Sequence, residues 1–416
     1  MKGRSLPDWL AFIERQHPQP IALGLDRAVE VFSKLKLELA CPILTVGGTN
    51  GKGSTCAMLE GVLQAAGYRT GLYTSPHLLR YNERVRIGGR EASDAALVEA
   101  FAAVEAVRGN VALTYFEFGT LAAFFLCAKE KLDALILEVG LGGRLDAVNV
   151  LDADCAILTS VGIDHVEYLG ATREEIGREK AGIFRRGKPA VVADPQIPES
   201  VVEEIQRINA KPLLLGRDFG YVSQGTQWSY WGPAGKRSGL AHPALRGAIQ
   251  LRNASAAFAA VESLRERLPI AMQDVRRALA EVELPGRFQV LPGRPQVVLD
   301  VAHNPAAAAA LASNLGESGF APETSAVFGM LKDKDIAGVV RAVAPRITRW
   351  HLATLPGPRG ADASQLFEIL GKENIKTPAT KHPNVAAALA AAKKEAAEND
   401  KIVVFGSFLT VAGAYG

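Results

Sequence analysis

Short apolar runs alternate with helical patterns along most of the chain. The runs end at glycine or at polar residues, and in the first half they cover residues 42–46, 70–74, 134–139, 155–160 and 189–193. Segments with apolar residues at helical spacing, such as 54–66 and 118–131, lie between them. Because the runs are continuously apolar rather than alternating, they predict strands of a parallel sheet with helices on both faces.

The pattern changes over residues 212–250, where Gly, Ser, Trp and Tyr are frequent and helical periodicity disappears. This composition predicts a small antiparallel sheet. Helical patterns return at 253–268 and 272–282, and the segment 284–287 (LPGR) then has the composition of a hinge. Strand patterns at 297–300, 326–329, 350–353 and 402–405 follow, with alanine-rich helices at 305–314 and 384–397. We therefore predict two α/β domains, residues 1–285 and a smaller one at 286–416.

Composition and charge narrow the function classes. The 47 Lys and Arg residues against 44 Asp and Glu give a net charge of +3, and basic runs such as Arg185–Arg186 are short, so no nucleic-acid partner is expected. The four cysteines are widely spaced without a CxxC pair, which favours free thiols in a reducing compartment. The most apolar stretch, 119–128, is too short to cross a bilayer. The N-terminal segment reads as an amphipathic helix rather than a signal peptide. We expect a cytoplasmic protein with no membrane partner.

A glycine-rich segment, residues 47–55 (GGTNGKGST), follows the first predicted strand and leads into a helix. Backbone N–H groups of such a turn, the helix N-terminus and a lysine charge together bind phosphates. The candidate ATP ligands are Thr49, Asn50, Gly51, Lys52, Gly53 and Ser54. Val46 stands where the usual P-loop spacing has its first glycine. The alternative is a glycine-rich turn without function.

The segment 48–54 (GTNGKGS) resembles the phosphate loop of the Mur ligase superfamily. Other segments resemble its folylpolyglutamate synthase branch over essentially the whole chain, namely 73–78, 113–117, 137–146, 163–165, 179–184, 285–287 and 300–305. The resemblance implies a P-loop parallel-sheet ATPase domain followed by a Rossmann-like glutamate ligase domain. It also implies ATP, a pair of magnesium ions and a carbamylated lysine as cofactors. The implied substrates are dihydropteroate, folates and L-glutamate, and we expect a monomer.

Glu138 is the metal-ligand candidate that the sequence itself suggests, because it is an acid at the end of an apolar strand. The resemblance adds Ser75 and His165 as magnesium ligands, although magnesium prefers oxygen. It also implies that Lys180 is carbamylated, which requires a neutral amine. The alternative for Lys180 is a surface lysine paired with Glu175 or Glu179. The residues assigned to catalysis are Lys52, His165 and Lys180.

The resemblance assigns Asn253, Arg287 and Asp300 to ATP binding. A guanidinium can hold phosphates and a carboxylate can accept from ribose hydroxyls. Asn253 is equally well explained as a helix N-cap. His303 could serve the domain interface or the incoming amino acid, and the sequence does not decide between them. Two domains that share one ATP would be expected to close over it.

Three segments are assigned to the pterin by the same resemblance: Ala22, Leu23 and Gly24; Thr114, Tyr115, Phe116 and Glu117; and Leu145, Asp146 and Ala147. Aromatic rings can stack on a pterin, and acids accept from its N–H groups. Family members often carry aspartate at the position of Ala22. The alternatives are core packing for Phe116 and a helix N-terminal carboxylate for Glu117.

These assignments together imply a ligase that joins L-glutamate to dihydropteroate and to folate glutamates through an acyl phosphate. An extension-only synthase and another Mur-type amino-acid ligase are the nearest alternatives. A P-loop NTPase that acts as a switch or binding module is an alternative from a different class. The second α/β domain, with Asp300 and His303, speaks against that alternative.

Overall fold

The computed structural model describes residues 3–19 and 21–415. The chain divides into two compact units. The first comprises residues up to Ala244 together with Leu251–Val282, and the second comprises Leu245–Gln250 with the chain from Glu283 onward. The assignment of 245–250 to the second unit was not predicted from the sequence.

The first unit contains most of the helices and an eight-stranded sheet in the order β4-β3-β2-β5-β1-β6-β7-β8. Its elements up to β5 are α1 (Leu6–Glu14), α2 (Asp26–Leu35), β1 (Ile43–Gly47), α3 (Lys52–Ala65), β2 (Thr70–Tyr73), β3 (Val85–Ile87), β4 (Arg90–Glu91), α4 (Asp94–Arg108), α5 (Tyr115–Ala128) and β5 (Ala134–Glu138). Those that follow are β6 (Cys155–Leu158), α6 (Val166–Leu169), α7 (Arg173–Ala181), β7 (Pro189–Val192), α8 (Glu199–Arg207) and β8 (Lys211–Leu214). Short 3-10 helices cover Tyr81–Arg84 and Ala147–Val150.

Strands β1, β5 and β6 form the centre of this sheet, and they are the apolar runs that the sequence predicts. All residues of β1 and β5 are buried, as expected for parallel strands covered on both faces. Val46 pairs with Glu138 on one side and with Ile157 on the other, so the carboxyl ends of the three strands lie at one edge. At the β4 edge of the sheet, β3 and β4 run antiparallel, which the sequence did not predict.

Helix α5 begins earlier than predicted. The apolar pattern indicated 118–131, whereas the helix starts at Tyr115 because Thr114 caps it and Glu117 closes a capping box. The capping box, and not the apolar spacing, marks this start.

The segment of changed composition forms the predicted antiparallel sheet, in the order β11-β10-β9. It consists of β9 (Gly220–Gln224), β10 (Gln227–Gly232) and β11 (Gly235–Ala241), followed by α9 (Ile249–Ser263) and α10 (Met272–Glu281). The ring of Trp228 stacks on Phe258 at 5.9 Å between centroids. Glu262 accepts from the Tyr230 hydroxyl and from Arg237, so this sheet and α9 share one buried polar cluster.

The second unit is a six-stranded sheet in the order β12-β13-β17-β14-β15-β16. Its elements are β12 (Gln289–Leu291), β13 (Gln296–Asp300), α11 (Pro305–Glu317), β14 (Thr324–Phe328), α12 (Ile336–Val343), the 3-10 helix Ala344–Arg346, β15 (Arg349–Ala353), α13 (Ala363–Lys372), β16 (Ala379–His382), α14 (Val385–Glu395), β17 (Lys401–Phe405) and α15 (Phe408–Ala412). Strand β12 is antiparallel to β13, and the other pairings are parallel. The two edge strands, β12 and β16, are short and partly exposed, so their apolar signal was too weak to predict.

All four cysteines are free, as predicted, and three of them are buried. Among residues 3–19 and 21–415, no helix has both the length and the apolar character needed to cross a bilayer.

Candidate functional site

The glycine-rich segment forms a turn between β1 and α3. The residues that follow β6, the neighbour of β1 in the sheet, hold this turn in place. Thr49 N–H donates to the Ser160 carbonyl at 2.8 Å, and Asn50 N–H donates to the Ser160 hydroxyl at 3.0 Å. The Thr159 hydroxyl donates to the carbonyls of Gly47 and Asn50. Lys52 is the first residue of α3, and its ammonium group donates to the carbonyls of Gly48 at 3.0 Å and Thr49 at 3.3 Å. A rigid turn with a lysine at its helix N-terminus has the structure of an anion site.

Asn253 lies against this turn. The interpretation of Asn253 as a helix N-cap was wrong, because α9 starts at Ile249 and Asn253 is a buried residue inside it. A side-chain carbon added to Gly51 would stand 2.7 Å from Asn253 Oδ1, so the amide is packed directly on the loop. The prediction that Asn253 serves the nucleotide stays a prediction, now with a matching location.

We expect Gly48→Ala to weaken nucleotide binding. Gly48 has φ +141°, and an added Cβ would lie 2.0 Å from Thr159 Oγ1, displacing the hydroxyl that holds the loop. Backbone strain and lost hydrogen bonds of this kind cost about 1–3 kcal/mol, or roughly five- to 150-fold in affinity for an ATP analogue. The matched control is Gly67→Ala, which carries a positive φ of +90° but meets no atom within 4 Å. Equal affinities for the analogue in both variants would contradict the role of the loop.

Glu138 and Ser75 lie together at the carboxyl edge of the sheet. Glu138 is buried at the end of β5, and its Oε2 accepts the Ser75 N–H at 3.0 Å. His165 precedes α6 in a left-handed conformation, with Nε2 4.0 Å from Asp164 Oδ1. In the described part of the chain, no three His, Cys, Asp or Glu side chains cluster as a metal site would. A carboxylate and a hydroxyl nevertheless fit magnesium, which usually takes one or two carboxylates and completes its shell with water and phosphate.

Lys180 is buried in the last turn of α7, with 4% of its surface exposed. The interpretation as a surface lysine paired with Glu175 or Glu179 was wrong. Glu175 instead caps α7 through Thr172, and Glu179 pairs with Arg144. Burial, followed by the nearby Lys52 charge, lowers the pKa of Lys180 to about 7, although Asp164 and Asp146 act in the opposite direction. A neutral amine is therefore available near neutral pH.

Arg27 joins two of the three segments that were assigned to the pterin. Its Nε donates to Glu117 Oε1 at 3.0 Å, and its Nη2 donates to the Ala22 carbonyl at 2.7 Å. Glu117 is buried and also accepts the Thr114 N–H at 2.7 Å. The interpretation of Glu117 as a helix N-terminal carboxylate is therefore confirmed, and its oxygens already receive these donors.

The aromatic residues of the same segment lie at the loop after β5. A carbon added to Gly140 would stand 2.5 Å from Phe116 Cζ, so the Phe116 ring is packed on the Gly140 backbone. The Tyr115 ring meets Tyr81 edge-on at 5.9 Å, and the Arg84 guanidinium lies 5.6 Å from the Tyr115 centroid. Both Tyr115 and Phe116 are only partly buried.

Asp146 ends the same loop and caps the 3-10 helix Ala147–Val150. Its carboxyl accepts from Leu141 N–H at 2.8 Å and from Val148 N–H at 3.0 Å. Burial raises the pKa of Asp146 to about 7, although these N–H groups and Lys52 lower it. Near neutral pH the carboxyl is therefore found in both protonation states. Helix α5 packs against this 3-10 helix, so the segments that begin at Thr114 and at Leu145 are neighbours.

In the second unit, Asp300 ends β13 and orders the chain around it. Its two oxygens accept from Phe288 N–H at 2.9 Å and Ala302 N–H at 2.8 Å. Burial raises the pKa of Asp300, while the Arg287 charge lowers it. The Arg287 guanidinium lies 5.1 Å from the centroid of the Phe408 ring, and His303 Nδ1 lies 2.8 Å from the Val301 carbonyl. Arg287, Asp300 and His303 thus lie in one part of this unit, and their assignment to ATP or to the incoming amino acid stays a prediction.

Comparison with known families agrees with both units. The model of the Mur ligase middle domain matches residues 46–261, and that of the Mur ligase glutamate ligase domain matches residues 286–408. A dihydrofolate synthase/folylpolyglutamate synthase of Escherichia coli (strain K12) is 43% identical, covering 98% of this chain and 94% of the relative. The chain belongs to this family of Mur ligases.

Solved Mur ligase structures are also similar over the whole chain. The E. coli protein FolC in complex with DHPP and ADP has a TM-score of 0.93 at 43% identity, covering 99% of this chain and 96% of that one. A bifunctional folylpolyglutamate synthase/dihydrofolate synthase with Mn, AMPPNP and L-glutamate bound has a TM-score of 0.90 at 44% identity, covering 98% and 97%.

Three residues of this Mur ligase site were not predicted from the sequence. Arg27 joins Ala22 to Glu117, and Thr159 and Ser160 hold the glycine-rich turn. Arg27 follows the 22–24 segment but was missed, because its partner Glu117 is distant in sequence. Thr159 ends the apolar run that forms β6. It could have been suspected, because the carboxyl ends of neighbouring parallel strands lie together and β6 is next to β1.

Proposed function

We propose that this chain joins L-glutamate to dihydropteroate, forming dihydrofolate, and also extends folate glutamates, at the expense of ATP. The observation that carries the proposal is the loop after β5, which brings a buried acid, an aromatic ring and the Asp146 carboxyl together. The Lys52 charge acts in the same place, because it lowers the pKa of both Asp146 and Lys180.

The loop that follows β5 supplies the physical connection. It starts at Glu138, passes the Gly140 backbone on which Phe116 packs, and ends at Asp146. A flat ring stacked beside Phe116 would thus lie near Gly140, which follows Glu138 closely in the chain. This spacing suits an acceptor whose ring binds at one end and whose carboxylate reacts at the other.

The reaction follows from these parts. The pteroate or folate carboxylate attacks the γ-phosphorus of ATP, which forms an acyl phosphate and releases ADP. The glutamate amine then attacks the acyl carbon, an amide forms, and phosphate leaves. Lys52 and the loop N–H groups stabilise the charge on the transferred phosphoryl group.

Ser75, Glu138 and His165 are the proposed magnesium ligands, and Lys180, once carbamylated, would add a further carboxylate. Bound magnesium would neutralise charge on the phosphoryl oxygens. Arg287 and Asp300 of the second unit are proposed to hold ATP, as Asn253 is. We also propose that the protein works as a monomer in the cytoplasm, where ATP is available and its free cysteines remain reduced.

The direct test is to incubate the protein with dihydropteroate, L-glutamate and magnesium ATP and to follow the products by mass spectrometry. The amide product and ADP are expected in equal amounts, and omission of glutamate should suppress sustained ADP release. A parallel reaction with a reduced folate monoglutamate measures extension. ADP release that is independent of both acceptors would instead identify an NTPase module. Extension without use of dihydropteroate would identify an extension-only synthase.

We expect Phe116→Ala and Asp146→Asn to impair use of dihydropteroate more than extension of a reduced folate. Dihydropteroate lacks a glutamyl tail, so ring stacking and hydrogen bonds at the pterin must supply most of its binding energy. A stacked ring or a pocket hydrogen bond contributes about 1–3 kcal/mol, or roughly five- to two-hundredfold in kcat/KM. The measurement is kcat/KM for both acceptors in wild type and variants.

Phe125→Ala is the matched control, because Phe125 lies on the same helix and is also partly buried, but it packs near Lys129 instead of Gly140. Both activities of this variant should change alike and modestly. If Phe116→Ala and Asp146→Asn lose the two activities equally, the segment has a structural role only.

A further inference from the structure

Arg27 occupies an unfavourable place for a cation. It lies in the first turn of α2, whose N-cap residue, Leu25, makes no side-chain capping bond. The N-terminal end of a helix carries a partial positive charge, so a guanidinium there does not stabilise α2. Its presence is explained by what its side chain contacts outside the helix.

Those contacts come from two distant segments. Besides Nε, the Nη2 atom lies 2.8 Å from Glu117 Oε1, which makes the pairing with this carboxylate two-pronged. The same Nη2 donates to the Ala22 carbonyl at 2.7 Å, and Nη1 would lie 3.8 Å from a carbon added to Gly24. The guanidinium therefore fixes the 22–24 backbone against the start of α5.

The pairing is largely sheltered from water. The side chain of Arg27 is 28% exposed and that of Glu117 is 5% exposed, and Glu117 also holds the Thr114 N–H. A loss of Arg27 would leave a buried carboxylate without its cation and would release the Ala22 carbonyl. Helix α2 also packs against the 3-10 helix that Asp146 caps, so all three segments assigned to the pterin adjoin α2 or α5.

We propose that Arg27 is a positioning residue that shapes the pterin pocket and thereby sets the affinity for dihydropteroate. The inference rests on the proposed function. Arg27 acts through Ala22 and Glu117 and takes no part in ATP or glutamate binding.

The test compares Arg27→Met, Arg27→Lys and the double variant Arg27→Met/Glu117→Gln with wild type. Arg27→Met should raise KM for dihydropteroate about tenfold or more, with kcat and the KM values for ATP and glutamate changed by less than about threefold. Arg27→Lys should lie between, because a single ammonium cannot reproduce both arms of the fork. In the double variant, thermal stability should recover while KM for dihydropteroate stays high, because Ala22 is still not held.

Arg108→Met is the matched control. Arg108 is also a sheltered arginine of the first unit that pairs with a glutamate, Glu105, and bonds a distant side chain, Gln16. It should lose stability without the selective rise in KM for dihydropteroate.

The proposal is overturned if KM for dihydropteroate in Arg27→Met stays within about twofold of wild type. It is equally overturned if all three KM values rise together and the double variant restores them with stability, because the pair then serves folding alone.

If wild type forms no amide from dihydropteroate, the proposed function fails. Equilibrium binding of dihydropteroate, measured by calorimetry, then decides the role of Arg27. Weaker binding by Arg27→Met supports it, and equal or absent binding refutes it.

Discussion

Replacing Lys52 with alanine is expected to lower the turnover of ligation by about two to three orders of magnitude while leaving the fold intact. Its ammonium group donates to carbonyls of the loop itself, at 3.0 and 3.3 Å, and Lys52 is not one of the buried residues of the core. The loss falls on turnover because the charge is needed where negative charge gathers on the phosphoryl group. The measurement is kcat at saturating ATP, with circular dichroism to verify folding.

The lysine chosen as a control is Lys34, which is exposed on α2 and pairs with Glu30. Lys34→Ala should retain wild-type turnover. Lys52→Ala has a second consequence, because Lys52 lowers the pKa values of both Lys180 and Asp146. Both pKa values should therefore rise in the variant. Near-normal turnover of Lys52→Ala would remove the phosphate loop from the proposed mechanism.

Lys180→Ala is expected to be nearly inactive, because it removes the amine that we propose is carbamylated. Short carboxylates such as formate or acetate, added at high concentration, should restore part of the activity by occupying the vacated position. Activity of the wild type should depend on dissolved CO2, and isotopically labelled CO2 should give a carbamate signal in its NMR spectrum. Lys188→Ala is the control, since Lys188 is an exposed lysine that pairs with Asp154.

The pH dependence has a definite sign. The pKa of Lys180 is depressed in the folded chain, from 10.5 to about 7, so the buried amine is neutral above pH 7 and becomes a buried cation below it. The contribution of Lys180 to stability is thus present above its ordinary pKa and lost as pH falls through about 7. Carbamate formation, and with it activity, should decline as pH falls through about 7, because the amine must be neutral to react with CO2. Full activity of Lys180→Ala, or an unmodified amine in a well-resolved active structure, would refute the carbamate.

The central strands were predictable because their burial leaves a direct signal in the sequence. A strand such as β1 or β5, covered on both faces, must be apolar at every position, and its end is marked by glycine or an acid. The strands β3, β4, β12 and β16, at or next to the edges of their sheets, lack that signal because they are short and partly exposed. Their positions are decided by pairing with a neighbouring strand, which depends on tertiary structure.

The site residues also fall into those that the sequence predicts and those that it does not. Lys52 and Glu138 could be found from the sequence because the strands that precede them place them at a known edge of a parallel sheet. The burial of Lys180 could not be predicted from its local sequence, because Arg144 and Thr172 take the acids that would otherwise pair with it. Arg27 was missed for a related reason: its partner Glu117 lies 90 positions away. Contacts of this kind are fixed by folding and leave no spacing to recognise.

The link from Arg27 to the Ala22 carbonyl has an evolutionary corollary. A backbone oxygen is present whatever side chain stands at position 22, so a change of that side chain leaves this link intact. Positions 27 and 117 have no such freedom, because a change at one leaves the sheltered charge at the other without its partner. Among homologous sequences, these two positions are therefore expected to covary, while position 22 drifts independently of both.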